Sequence, residues 1–149
     1  MLVRSLQVSV HCEHETLWRL LLDRLQHPGR YLPGVTEVSI REQTDEGLTR
    51  EMKLHGETVR EKIGINGHRY EIRHELQVHP QFSGVIVTRI VRTSRQNPVA
   101  PQILEYSLEL QRKSFHVEGI VKGEEEILAD LQMEMNRLKA RAEELDGAR

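Results

Sequence analysis

Arg50, Glu61 and His74 are ionisable residues set among apolar neighbours in segments whose side chains alternate in polarity. In 68–79 the even positions hold Tyr70, Ile72, His74, Leu76 and Val78, and the odd ones Arg69, Glu71, Arg73, Glu75 and Gln77. A period of two marks a strand with one covered and one wet face. The same alternation in the preceding segments places Arg50 and Glu61 on the covered side, with Met52 and Val59. A buried ionisable group is costly unless paired, so these three form the leading candidate site. Arginine offers a planar fork suited to a carboxylate, and a Glu or His can take a proton from a bound molecule. Three uses follow: a satisfied ion pair at a sheet rim, a polar anchor for a ligand's carboxylate, hydroxyl or carbonyl, or a general base at Glu61 or His74.

Turn chemistry sets an expected register. With Asn66-Gly67 as a two-residue hairpin turn, Glu61 faces Ile72 and Val59 faces His74. With His55-Gly56 as another, Met52 faces Val59 and Arg50 faces Glu61. Residues directly opposite lie roughly 4.5–5.5 Å apart at Cβ, so Arg50 and Glu61 are neighbours and His74 is one diagonal step away.

The elements that hold these residues follow from periodicity. Leu6, Val8 and Val10 alternate with polar residues in a first strand near 3–11. Leu17, Trp18, Leu21, Leu22 and Leu25 recur at helical spacing, with Arg19, Asp23 and Arg24 assigned to the other side. His27-Pro28-Gly29 ends that helix. Strands are expected at 35–43 (Val38 and Ile40 inward), 48–54, 57–65, 68–79 and 84–94, then a last strand with Leu104, Tyr106, Leu108 and Leu110 inward. Asn97-Pro98 and Pro101 mark the loop before it. A long amphipathic helix begins between 115 and 124, carrying Leu128, Leu131, Met135, Leu138, Ala142 and Leu145. Gly123 is an awkward residue in that helix, costing ~1 kcal/mol relative to Ala.

One α+β domain spans 1–149, with a curved seven-stranded antiparallel sheet packed around the last helix. The net charge of -2 gives no bulk attraction to nucleic acid or anionic membranes. No apolar run approaches the ~20 residues of a membrane span, and the N-terminus lacks a signal-peptide pattern. A single cysteine, Cys12, fits a reducing compartment, so a cytoplasmic location is expected. His11-Cys12-Glu13-His14 reads as surface residues rather than a metal site, and neither metal nor cofactor is expected. His27, His55, His68, His79 and His116 fall at turns or element ends, where solvated histidine is routine. No nucleophile triad, phosphate-binding loop or dinucleotide fingerprint occurs.

The order of elements resembles the helix-grip fold of START-like (SRPBCC) proteins, which include plant pathogenesis-related allergens, lipid-transfer domains and polyketide cyclases. Trp18 in the first helix, Pro28 through Tyr31 to Pro33-Gly34, Leu48-Thr49-Arg50-Glu51 and Val59-Arg60-Glu61 are more closely similar to an uncharacterised START-like group. The allergens' glycine-rich loop is missing, because 42–47 contains one glycine. The resemblance implies a cavity between sheet and last helix that binds a hydrophobic or amphipathic small molecule. Its lining would combine Arg50, Glu61 and His74 with Met52, Tyr70, Tyr106, Leu108, Leu131, Met135 and Leu138. An enzyme of the cyclase, hydratase or isomerase type is the alternative. A partner-binding module or homodimer is the third, although aromatic residues make up only 4% of the chain and give little support to a large hot spot.

Overall fold

Alternating segments pair in sequence order wherever a short turn joins them, and this rule accounts for most of the sheet. The computed structural model describes residues 1–93, 101–113 and 117–147, with 117–122 described by backbone alone. The elements are β1 (Leu2–Val10), α1 (His14–Gln26), a one-turn helix (Pro28–Arg30), β2 (Val35–Thr44), β3 (Gly47–Leu54), β4 (Glu57–Asn66), β5 (Glu71–Val78), β6 (Phe82–Arg92), β7 (Gln102–Arg112) and α2 (Val117–Gly147). All seven strands form one antiparallel sheet in the order β1-β7-β6-β5-β4-β3-β2. The expected loop at Asn97-Pro98 and the residue His116 lie outside the described residues.

One face of this sheet is covered by the helices. Leu104, Tyr106, Leu108 and Leu110 of β7 join a core with Leu17, Leu21 and Leu25 of α1 and Leu131, Met135, Leu138 and Ala142 of α2. In β6 the covered positions are Ile86, Thr88 and Ile90. Gly84 in β6 has a φ of +126° and lies so close to the Glu109 carbonyl that a side chain is excluded. The far ends of the two helices are tied together by side chains. Glu13 makes no side-chain cap for α1. Instead Asp146 of α2 accepts from the Glu13 backbone N–H at 2.5 Å and from the Thr16 hydroxyl at 2.8 Å.

Two expected details are corrected. The β4–β5 connection is not a two-residue turn, because Asn66 pairs with Glu71 and leaves Gly67–Tyr70 as a four-residue loop. Tyr70 adopts φ +53°, so β5 begins at Glu71 rather than at 68. Asn66 Oδ1 accepts from the Arg69 backbone N–H and stabilises the wider loop. In β2 the ladder bulges on both sides of Ser39–Arg41, with Glu37 and Glu42 each at φ +52°. Val38 sits in the first bulge and is exposed rather than inward.

Candidate functional site

The His55-Gly56 turn closes as expected, so Arg50 pairs directly with Glu61 and Met52 with Val59. Arg50 Nη2 donates to Glu61 Oε1 at 3.0 Å. The four-residue slide in β4–β5 places Glu61 opposite Leu76 and Ile63 opposite His74. Four is an even number, so every side chain keeps its face and His74 remains diagonal to Glu61, on the other side. His74 Nδ1 and Glu61 Oε2 are 2.6 Å apart.

This trio is half of a larger buried network. Arg24 of α1 lies over the sheet, correcting its expected place on the outer side of the helix, and it is 3% exposed. Its Nη2 stands 3.0 Å from His74 Nε2 and 3.4 Å from the Thr88 hydroxyl. Its Nη1 donates to Glu134 Oε1 of α2 at 3.0 Å and to the Tyr106 hydroxyl at 3.3 Å. Tyr106 in turn donates to Glu134 Oε1 at 2.5 Å. Arg50 Nη1 donates to the Arg24 and Leu25 carbonyls, capping the C-terminal turn of α1. Two guanidiniums and two carboxylates thus balance in one interior.

Hydrogen-bond direction fixes the protonation of the histidine. A guanidinium only donates, so His74 Nε2 accepts from Arg24 and the single proton of a neutral ring resides on Nδ1, donated to Glu61. Burial likewise holds the imidazole below its ordinary pKa, against the pull of Glu61. Burial alone would raise Glu61, yet Arg50 and His74 outweigh it and hold the carboxyl far below the usual range. Burial pushes Tyr106 well above the ordinary phenol value; Arg24 opposes this and Glu134 adds to it. Both oxygens of Glu61 and both nitrogens of His74 are therefore engaged within the protein. The one basic lone pair of the neutral His74 ring, on Nε2, is taken by Arg24, and each Glu61 oxygen already accepts a hydrogen bond.

Signals for the missed members were present. Arg24 lies seven residues after Leu17, and Glu134 three after Leu131, so each occupies a slot on its helix's apolar stripe. The remaining expected site residues are spread through the interior. Leu108, Leu131, Met135 and Leu138 are buried in the main core, and Met52 belongs to a smaller cluster with Leu32 and Val59. Tyr70 stands apart at the end of β5, edge-on to Trp18 and His14, with its hydroxyl donating to Glu15.

A cavity of about 500 Å³ opens at the other end of the sheet, towards the start of α2. Leu54, His55, Glu57 and Val59 line it from the β3–β4 hairpin, and His79, Pro80 and Gln81 from the β5–β6 turn. The helix contributes Gly123, Glu126, Ile127, Ala129 and Asp130. None of the ten expected site residues lines it, although Met52 packs directly behind Val59. His55 Nε2 and Asp130 Oδ2 meet at 3.0 Å, joining hairpin to helix across the rim. A Cβ on Gly123 would fall 2.6 Å from Gln81 Oε1, so glycine there lets the Gln81 amide reach the helix. A second cleft of about 370 Å³, between α1 and the β2–β3 turn, is lined in part by Trp18, Leu22, Leu25, Leu48 and Ile65. Among the described residues no group of three or more His, Cys, Asp or Glu could hold a metal ion, and no helix is long and apolar enough to cross a membrane.

No protein-family model matches the chain, and no curated protein matches it. Solved structures do. The protein XoxI from Bacillus cereus is 13% identical at a TM-score of 0.73, with 97% of this chain and 98% of that one covered. A START superfamily protein from Mycobacterium smegmatis is 19% identical at a TM-score of 0.68, covering 96% and 98%. The Zhui aromatase/cyclase from a Streptomyces strain is 15% identical at a TM-score of 0.68, covering 95% and 94%. Identities this low carry the architecture alone. With its seven antiparallel strands gripping a long C-terminal helix, the chain has the START-like helix-grip fold.

Proposed function

We propose that the protein binds an amphipathic small molecule in the cavity between the β3–β4 and β5–β6 turns and residues 123–130 of α2. The observation that carries this is the cavity itself. Its volume of about 500 Å³ lies within the range of small-molecule sites, roughly 300–1,000 Å³. Its lining joins an apolar wall of Leu54, Val59 and Ile127 to polar groups on His79, Gln81 and Asp130. An apolar body against that wall would supply most of the affinity, and the polar groups would orient the other end. The buried network of Arg24, Arg50, Glu61, His74, Tyr106 and Glu134 would then serve as the rigid support behind the site, fixing both helices to the sheet. The aromatase/cyclase among the structural neighbours shows that this architecture can carry catalysis, but the burial of Glu61 and His74 and their engagement by Arg50, Arg24 and each other favour binding over proton transfer here.

Titration with the neutral fluorescent probe N-phenylnaphthylamine tests the proposal. Wild type should show saturable one-to-one binding. Ala129→Trp places an indole at the cavity wall and should weaken binding by about tenfold or more, at unchanged unfolding midpoint. Non-saturating binding, or binding indifferent to Ala129→Trp, would exclude this cavity as the site.

A further inference from the structure

His79 was expected to be a solvated turn residue, yet it is half-buried and lines the cavity. Its Nδ1 accepts from the backbone N–H groups of Gln81 and Phe82, both at 3.1 Å. An imidazole nitrogen that accepts two N–H bonds carries no proton, so the neutral ring is protonated at Nε2. Burial lowers its pKa below the ordinary value, with Glu61 opposing and Lys113 assisting, which keeps the ring neutral near pH 7. No described residue accepts from Nε2. The same cavity is lined by Glu57, Glu126 and Asp130, the last paired with His55, and such carboxylates accept hydrogen bonds and repel another carboxylate.

Granted that the cavity binds small molecules as proposed above, we infer that His79 is its specificity-determining residue. It acts as a fixed N–H donor that selects neutral ligands bearing a carbonyl, ether or hydroxyl oxygen. Ligand acids are disfavoured by the three lining carboxylates. This departs from the reading of Arg50 as the anchor for a ligand's carboxylate, hydroxyl or carbonyl, because its Nη atoms are already engaged by Glu61 and by the carbonyls of α1.

The test uses three compounds of nearly equal size on the full chain: acetylnaphthalene, ethylnaphthalene and naphthoate. One net hydrogen bond corresponds to about a fivefold preference, so wild type should bind the ketone about fivefold more tightly than the hydrocarbon. Naphthoate should bind more weakly than the ketone. His79→Asn is the informative variant. The Asn Oδ1 can replace Nδ1 as the acceptor for the turn, whereas its amide does not reach the Nε2 position. The ketone preference, taken as the ratio to ethylnaphthalene on the same variant, should fall to about one in His79→Asn, with the unfolding midpoint retained. Imidazole nitrogen NMR on wild type should show the Nε2–H tautomer, with that proton moving downfield on addition of the ketone and not of the hydrocarbon.

An unchanged ketone preference in His79→Asn overturns the inference while leaving the binding site intact. So does loss of that preference in Gln81→Met alone, which would make the Gln81 amide the donor. A resting Nδ1–H tautomer overturns it as well. Failure of all three compounds to bind wild type refutes the binding proposal itself.

Discussion

Replacing Glu61 by Gln probes the buried network at its most connected point. Glu61 Oε1 is held by Arg50 Nη2 and Oε2 by His74 Nδ1. An amide offers one oxygen and one NH2 group, so in either orientation an NH2 faces a donor. His74 cannot relieve the conflict by moving its proton, because Nε2 faces Arg24 Nη2 at 3.0 Å. Arg50 would also lose its counter-charge while 4% exposed, with its Nε already lacking a hydrogen-bond partner. Breaking a buried pair from one side costs about 3–5 kcal/mol, a large share of a total stability of roughly 5–15 kcal/mol. Arg50→Met should cost a similar amount, because it strands the Glu61 charge and uncaps the end of α1. The double variant should cost clearly less than the sum, with a coupling of about 2 kcal/mol. Urea unfolding, followed by Trp18 fluorescence and far-ultraviolet dichroism, measures all four corners of the cycle. Single costs below about 1 kcal/mol, or additivity within about 0.5 kcal/mol, would refute the inferred coupling.

Acid should reveal the same network with a defined sign. His74 has a lowered pKa in the folded protein, so its contribution is complete above the ordinary value of 6.5 and is lost as pH falls through the folded value. Glu61 is also depressed, so its contribution is complete above 4.5 and is lost as pH falls further. Wild-type stability should therefore decline below pH 6.5 and more steeply below 4.5, and its advantage over Glu61→Gln should narrow only in the lower window. An advantage that stayed constant into strong acid would show that Glu61 is not charged in the native state.

Other substitutions test the fold. Gly84→Ala would place a Cβ 2.2 Å from the Glu109 carbonyl at a φ of +126°, and should cost at least about 2 kcal/mol in urea unfolding. Gly64→Ala, with nothing within 4 Å of the added carbon, is its control. Leu138→Ala removes a fully buried side chain from the seam between α2 and the sheet and should cost about 2–5 kcal/mol, whereas exposed Met133→Ala should stay within about 0.5 kcal/mol.

Periodicity carried the architecture because it is a local property of consecutive residues. Alternation in β3, β4 and β5, helical spacing in α2, and the His55-Gly56 turn specified the sheet, its covering helix and the Arg50–Glu61 pairing. Asn66-Gly67 misled because a strong turn dipeptide competes with a wider loop in which Tyr70 leaves the ladder to pack on Trp18 and His14. The parity of β5 survived that error, since a slide of four residues leaves each side chain on its own face.

Two things were decided only by tertiary structure. The first is partnership across elements: Arg24 and Glu134 occupy apolar-stripe slots, but each is tolerable there only because the two helices bring these residues, 110 apart in the chain, to 3.0 Å. The second is where space remains. Composition and spacing specify which faces are apolar, while the closeness of helix to sheet depends on side-chain volumes from many elements at once. That sum fills the region under Met135 and Leu138 and leaves the cavity near Gly123 and His79, residues whose sequence context marked them only as a helix irregularity and a turn.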